Sequence, residues 1–544
     1  MNLFYAPPRF VGGAITLFCL LTLFACQPQD EPEPQLRKVT ISSVAVTGGL
    51  DSIIVSFGQN AALDLSKFER TKLSLTPNRD FDYDASVRGS TLILALKQPL
   101  SYFTTYTFYI EDGNNLGVRI VDNFTYKFTT PYDPSPKKDI ISDDELLTLV
   151  QQQTFRYFYD FAHPTSGLAR ERNTSGDIVT TGGSGFGLAA FPVAVERGFI
   201  TRADALAHCT KVVDFLTEKA ERFHGAYPHW LNGRTGAAYP FSNKDDGADL
   251  VETAFLIEGL LVLRQYFSGA SAEETALRNK ITAIYEAVEW NWFRNSGKNV
   301  LYWHWSPNYE WAMNMPIRGW NEAFIIYVLA ASSPTHSIDK AVYTEGWARN
   351  GGIRNGKKYF DIVLPLGEEM GGPLFFAHYS FLGLNPMKLT DEYANYGEQN
   401  IAHARINYAY SLRHRTQPAD SLQAHWGLTA SDIPTGYYAT SPTHDNGTTA
   451  PTAALASMPY TPRESMAALR YFYYTLGDRL WGQYGFYDAF NMHDRWFARS
   501  YLAIDQGPII VMIENYRTGL VWNLFMSCPE IQAGLQKLDI TYNP

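Results

Sequence analysis

At Pro131 the hydrophobic pattern of this chain changes period, and that change divides what can fold on either side of it. From Lys38 to Thr130 apolar residues alternate in short runs: Val39 to Val46, Ser52 to Phe57, Thr91 to Leu96, Thr105 to Ile110 and Asn123 to Thr129. Gly48-Gly49, Pro77-Asn78 and Gly113-Asn114-Asn115 separate them, so residues 38–130 read as a small β-sandwich of immunoglobulin-like size. No cluster of titratable groups in it could run chemistry. Residues 131–139, with Pro131, Pro134 and Pro136, read as a stiff linker.

Beyond the linker the apolar period is helical. Ser142-Asp-Asp-Glu145 is a capping box, followed at helical spacing by Leu146, Leu147, Val150, Thr154, Phe155, Phe158 and Phe161. Further helical stretches run over residues 202–222, 249–267, 272–293, 321–331, 400–412, 461–476 and 506–525. Long aromatic loops join them, and such loops commonly carry function. Residues 140–544 are therefore expected to form one all-α domain of helical hairpins closed into a toroid. No fixed-period repeat supports a solenoid instead.

The first 25 residues carry one charge, Arg9, and an apolar stretch, Ala14 to Phe24, too short to span a bilayer as a mature helix. They read as a signal peptide. Leu23-Phe24-Ala25-Cys26 resembles a lipobox, which implies lipid on Cys26, and residues 26–37 form an acidic, Pro-rich tether. The expectation is an outer-membrane lipoprotein, periplasmic or at the cell surface. Of the remaining cysteines, Cys209 and Cys528 outlast the signal, as buried small hydrophobes or a single bridge.

A net charge of −10 without a Lys/Arg run excludes a nucleic-acid partner. Twelve Trp, 34 Tyr and 33 Phe offer flat surfaces for a core or a sugar cleft. No His-Glu-x-x-His or Cys-x-x-Cys occurs, so neither metal nor cofactor is expected. The Gly-rich segment Thr181 to Gly187 misses the dinucleotide and nucleophile-elbow spacings and reads as a flexible loop.

Asp245, Asp249 and Glu252 stand at i, i+4 and i+7, within roughly 60° on one helix face. First-turn acids complement a helix dipole, which covers Asp245 and Asp246 but not Glu252 among apolar neighbours. A carboxyl so placed is held protonated, as a general acid requires. Glu322, beside Arg318 and Trp320, and Asp505, in a turn opening the last long helix, are further candidates. Each has an equally weighted capping role. Glu514 and Arg517 can be read as an i,i+3 ion pair. His229 and His378 are sugar hydrogen-bonders or core histidines.

Together Gln151-Gln-Gln-Thr-Phe-Arg-Tyr-Phe158, Ser166-Gly-Leu-Ala-Arg-Glu-Arg172, Asp249-Leu-Val-Glu-Thr-Ala254, Gly319-Trp-Asn-Glu322 and the run from Asp505 to Gly519 resemble glycoside hydrolase family 144. The likeness runs from about Asp144 to Leu524. It implies an (α/α)6 toroid that cleaves β-1,2-glucan to sophorose or short sophorooligosaccharides by inversion. By that resemblance Asp245, Asp249, Glu252, Glu322 and Asp505 fall on the acidic pocket. Glu322 is expected as acid, Asp505 or Asp249 as the group handling water, and Glu252 and Asp245 as holders of sugar hydroxyls. Arg170, Arg172 and Arg517 are candidates to orient carboxylates or sugar oxygens. Trp230, Trp303, Trp305, Trp320 and Trp426 are candidate sugar platforms. A monomer is expected, touching β-glucan, and the membrane only through its lipid. The rivals are a non-catalytic glycan-binding surface lipoprotein and a polysaccharide lyase, the latter disfavoured because it needs a basic subsite.

Overall fold

The computed structural model describes residues 35–58, 60–77, 81–414 and 425–543. The signal peptide, Cys26 and most of the tether lie outside them. The chain divides into two compact units between Pro131 and Tyr132.

The first unit is all β. Strands β1 (Lys38–Val39), β2 (Ile41–Val46), β3 (Ser52–Phe57), β4 (Leu73–Thr76) and β5 (Tyr83–Arg88) are followed by β6 (Thr91–Leu96), β7 (Thr105–Ile110), β8 (Gly113–Asn115), β9 (Val118–Ile120) and β10 (Phe124–Thr129). They pair as an antiparallel sheet β2-β3-β6-β5, a second β10-β7-β4, and a small sheet β1-β9-β8. Alternate residues of both larger sheets share one core, with Ile53 and Leu94 from the first and Leu75 and Phe108 from the second. Strands β4 and β5 escape the period-2 reading. The former is only four residues long, and the latter is an edge strand carrying Asp84, Ser86 and Arg88. Gly113 to Asn115, read as a turn, pairs as β8.

The second unit is helical, with short two- and three-stranded pieces in its loops. Its helices begin with α1 (Asp143–Tyr159), α2 (Thr181–Glu196), α3 (Arg202–Glu218), α4 (Leu250–Tyr266) and α5 (Ala272–Glu286). Then come α6 (Phe324–Ser332), α7 (Tyr396–His414), α8 (Pro451–Ala456), α9 (Pro462–Arg470), α10 (Gly477–Leu480), α11 (Ala503–Arg517), α12 (Leu520–Met526) and α13 (Pro529–Lys537). The capping box opens α1: Ser142 Oγ accepts the Glu145 N–H, and Glu145 Oε2 accepts the Ser142 N–H. The single stretch read over 506–525 is two helices, because Gly519 turns the chain at φ 73° between α11 and α12. Residues 132–141, most of them read as linker, are bonded to this unit through Tyr132 to Asp478, and through Lys137 and Ile141 to Tyr474. Cys209 and Cys528 are buried, free thiols.

The Gly-rich segment is not a loop. Thr181 to Gly187 is the first half of α2, buried throughout and packed between α4 and α11. Helix propensity counts against it, yet a Cβ on Gly185 would fall 2.1 Å from the Phe255 carbonyl oxygen, and one on Gly259 would fall 2.0 Å from the Gly185 oxygen. The two backbones touch there. Close packing of α2 on α4 needs these glycines and outweighs their intrinsic cost of about 1 kcal/mol each.

Candidate active site

The N-terminal ends of α2, α4 and α11 bring Thr180, Asp249, Glu252 and Asp505 to one end of the helical unit. A cavity of about 410 Å³ opens there. Its wall includes Glu171, Arg172, Thr180, His229, Trp230, Phe241, Glu252, Trp303, Glu322, Phe375, Tyr379 and Tyr437.

Helix α4 starts at Leu250, so Asp245 is not on it and the three acids do not form one helical stripe. Asp249 is the N-cap. Its Oδ1 accepts the N–H groups of Val251 and Glu252, both at 2.9 Å. Its Oδ2 accepts from His229 Nδ1 at 2.9 Å and Trp303 Nε1 at 3.2 Å. Burial works against ionisation, but the bond from His229 and the charges of His304 and His229 keep Asp249 below the usual carboxylate range. Asp245 reaches the same place from the preceding loop, with His304 Nδ1 3.3 Å from its Oδ1 and 3.8 Å from Asp249 Oδ2. His229, Asp245 and Asp249 hold donor atoms within 4.8 Å of one another, a cation-like donor set. The oxygens of Asp249 already receive four N–H donors, whereas Asp245 Oδ2 is buried without a hydrogen-bond partner among the described residues.

His229 lies between Asp249 and Glu252, its Nε2 3.9 Å from Glu252 Oε1. Burial disfavours its charge, but Glu252, Asp249 and Asp245 overcome that and raise it to about 9. Glu252 is pushed up by burial and by Asp249, with His229 pulling the other way. Its Oε2 accepts the Gly182 N–H at 2.8 Å and lies 3.5 Å from Thr180 Oγ1.

Glu322 precedes α6 and faces the cavity, its backbone carbonyl taken by Ser380 Oγ. Burial, with the charges of Glu252 and Asp249, raises it to about 7. Asp505 is not a capping residue. It lies inside the first turn of α11, where Leu502 occupies the cap position. It is buried behind the wall beside Asp488, and burial together with Asp488 and Asp432 holds it well above the ordinary Asp value.

Of the residues proposed to meet sugar, Arg172, His229, Trp230 and Trp303 line the cavity with Glu252 and Glu322, while Asp245, Asp249 and Asp505 stand behind it. The others do not meet it. Arg170 is bonded to the carbonyls of Phe161 and Gly176. Trp305 packs edge-on against His224 and Trp292, and Trp320 is buried against Phe381 and Tyr396. His378 bonds Ser457 Oγ at 2.9 Å, and burial lowers it to about 3. Trp426 is fully buried, its Nε1 on the Glu464 carbonyl.

Arg517 does not pair with Glu514. It binds Thr148, Gln151 and Asp144, while Glu514 is bound by Arg197. Its place is a larger, open trough of about 930 Å³ at the far end of α11, where Arg197, Arg463, Arg470 and Arg517 are each paired to a carboxylate. Sequence reasoning missed Glu171, His304, Asp432 and Asp488 as well as the aromatic wall of Phe241, Phe375, Tyr379 and Tyr437. Glu171 and His304 lay within segments already singled out, between Arg170 and Arg172 and between Trp303 and Trp305. Asp432 and Asp488 carry no local signal.

Residues 314–529 match the glycoamylase family model, described as "Putative glucoamylase". The exo β-1,2-glucooligosaccharide sophorohydrolase (non-reducing end) of Parabacteroides distasonis strain ATCC 8503 is 45% identical over 422 residues, 73% of this chain and 58% of that protein. This chain therefore spans somewhat over half the length of that curated relative. The solved endo-β-1,2-glucanase of Chitinophaga pinensis, in complex with sophorotriose and glucose, is 50% identical with a TM-score of 0.71, over 74% of this chain and 99% of that one. A β-1,2-glucanase structure from P. distasonis is 38% identical with a TM-score of 0.71, over 93% of this chain and 73% of that one.

The helical unit thus gathers carboxylates around a cavity at the N-terminal ends of its helices. With likeness of this depth to β-1,2-glucanase structures, the chain belongs to glycoside hydrolase family 144.

Proposed function

We propose that this protein hydrolyses β-1,2-glucan to sophorose or short sophorooligosaccharides, with inversion. The observation that carries this reading is Glu322, a cavity-wall carboxyl raised to about 7 and facing a site of other carboxylates. Near neutral pH it retains a proton for the leaving oxygen. Between the two groups considered for activating water, Asp249 has both oxygens taken by N–H donors. It orients His229 and Trp303, so we assign the base role to Asp505, which stands behind the cavity wall and takes the proton through an intervening water. Arg172, His229 and Glu252 offer polar contacts to sugar hydroxyls, and Trp230, Trp303 and Phe241 offer ring faces. The β-1,2-glucanase relatives, one with sophorotriose bound, support an oligosaccharide occupant.

The test is digestion of linear β-1,2-glucan by the mature protein, with new reducing ends, product lengths and product anomer followed together. Sophorose or short oligomers of inverted configuration are expected. Binding without new reducing ends would mean a non-catalytic glycan receptor, and retained configuration would overturn inversion.

The finer architecture belongs to the same proposal. Helices α2, α4 and α11 start at the cavity end, which supports an (α/α)6 toroid, and the two larger sheets of the first unit on one core support an immunoglobulin-like module. Lipid attachment at Cys26 and an outer-membrane position are proposed from sequence alone. Radiolabelled palmitate incorporated by the wild type and lost in Cys26→Ala would establish the attachment.

A further inference from the structure

Behind Tyr437 and Arg172, three carboxyl groups from distant parts of the chain meet, Asp488 and Asp505 out of solvent and Asp432 partly buried. Asp488 follows the short strand Gly485–Phe486, Asp505 is in the first turn of α11, and Asp432 is on the hairpin strand Ala430–Ile433. Asp488 and Asp505 are each 2% exposed.

Asp432 is fully engaged. Arg172 Nη1 lies 3.2 Å from both of its oxygens, the Ser500 hydroxyl donates to it, and its own N–H donates to Asp488 Oδ2 at 2.6 Å. Among the described residues, Asp488 Oδ1 and Asp505 Oδ2 find no N–H or O–H donor. Yet the two side chains are within hydrogen-bonding reach of each other. Two ionised carboxylates in that position repel, and each would leave a buried oxygen unsatisfied. One proton between them satisfies both.

Resting on the hydrolase reading above, we infer that Asp488 is a positioning residue that shares a single proton with Asp505 and so fixes the charge and orientation of the base. Burial supports this by raising Asp488 to about 7 and Asp505 well above its ordinary range, with Asp432 adding to both and Arg172 offsetting in part. Glu171, Tyr379 and Tyr437 are the other titratable groups around the pair. In the hydrolytic step the bond from the anomeric carbon to the leaving oxygen breaks, and Glu322 gives that oxygen its proton. The water oxygen bonds to the carbon, and the water proton passes to the pair, which goes from one proton to two. Exchange with solvent then returns one proton to Glu322 and removes one from the pair.

The test compares Asp488→Asn and Asp488→Leu with the wild type on β-1,2-glucan across pH. In the working form Asp488 presents the shared proton to Asp505; Asn presents a neutral N–H donor in its place, whereas Leu presents none and leaves the buried Asp505 carboxylate without that bond. The acidic limb of kcat/KM should therefore stay within about half a unit of the wild-type position in Asp488→Asn and move toward higher pH by about one unit or more in Asp488→Leu. The kcat of Asp488→Leu should fall roughly 10-fold or more, with KM changed little. A limb unmoved in Asp488→Leu, or moved as far in Asp488→Asn as in Asp488→Leu, would overturn the inference, whatever the loss in rate.

Infrared difference spectra supply a readout independent of activity and of the folding of the Asp488 variants. Wild type minus Asp505→Asn should show a protonated-carboxyl stretch at pH about 6, above the ordinary Asp range, and its absence would equally overturn the inference. A wild type that leaves β-1,2-glucan intact but shows this stretch would sink the hydrolase reading and leave the shared proton standing.

Discussion

The backbone N–H of Gly182 donates to Glu252 Oε2 at 2.8 Å, and a Cβ at residue 182 would stand 2.6 Å from that same oxygen. A cavity carboxylate is thus held by main chain, at a position where only glycine lets the main chain come close enough. Gly182→Ala is expected to push Glu252 aside and cost the bond. A hydrogen bond to a charged group is worth about 1.5–3 kcal/mol, so kcat/KM should fall roughly 10- to 100-fold. Kinetics alongside a melting curve check this, since a purely structural role would lower Tm and spare kcat/KM at permissive temperature.

Glu322→Gln should lower kcat by about 100-fold or more, as loss of a general acid does. The wild-type rate should also decline as pH rises through about 7, where Glu322 loses its proton. A pH profile flat across neutrality in the wild type would remove Glu322 from the acid role.

His229 makes a prediction about stability. Its pKa is raised from 6.5 to about 9 by Asp249, Glu252 and Asp245 despite burial. The stabilisation from its charged form is therefore complete below about 6.5 and is lost as pH rises through about 9. His229→Gln should be less stable than wild type by up to the order of 3 kcal/mol at pH 6. Denaturant titrations of both proteins should converge by pH 10, and a constant gap would contradict the pairing.

The tryptophans separate by where they lie. Trp230→Ala, on the cavity wall, should raise KM about 5- to 10-fold with little effect on Tm. Trp426→Ala, in the core, should cost about 3–5 kcal/mol of stability. Any protein that remains folded should keep the wild-type KM.

What the sequence disclosed follows from how each residue acquires its setting. Glu252 was legible because the apolar run after it announced its burial, whereas Asp249, read as part of a helical stripe, is the N-cap of α4. Asp245 was grouped with them for the wrong reason: the chain returns to Asp249 through a loop and not along a helix. Thr181 to Gly187 was misread because glycine content speaks against a helix in isolation, whereas the contact with α4 that demands those glycines lies some 70 residues away in sequence. Asp432 and Asp488 have ordinary neighbours, and only the fold brings them to Asp505. Trp320, Trp426 and His378 show the converse, since bulk and polarity alone do not distinguish a platform from a core residue.

The crossing of α2 and α4 at Gly185 and Gly259 has a further consequence. With no side chain between the two backbones, the floor under Glu252 cannot be widened or narrowed by exchanging one residue for a larger or smaller one. The width of the cavity is therefore open to change only at its rim, in segments such as the Ala430–Ile433 hairpin and the Trp303 loop, around a base whose dimensions are set by atomic radii.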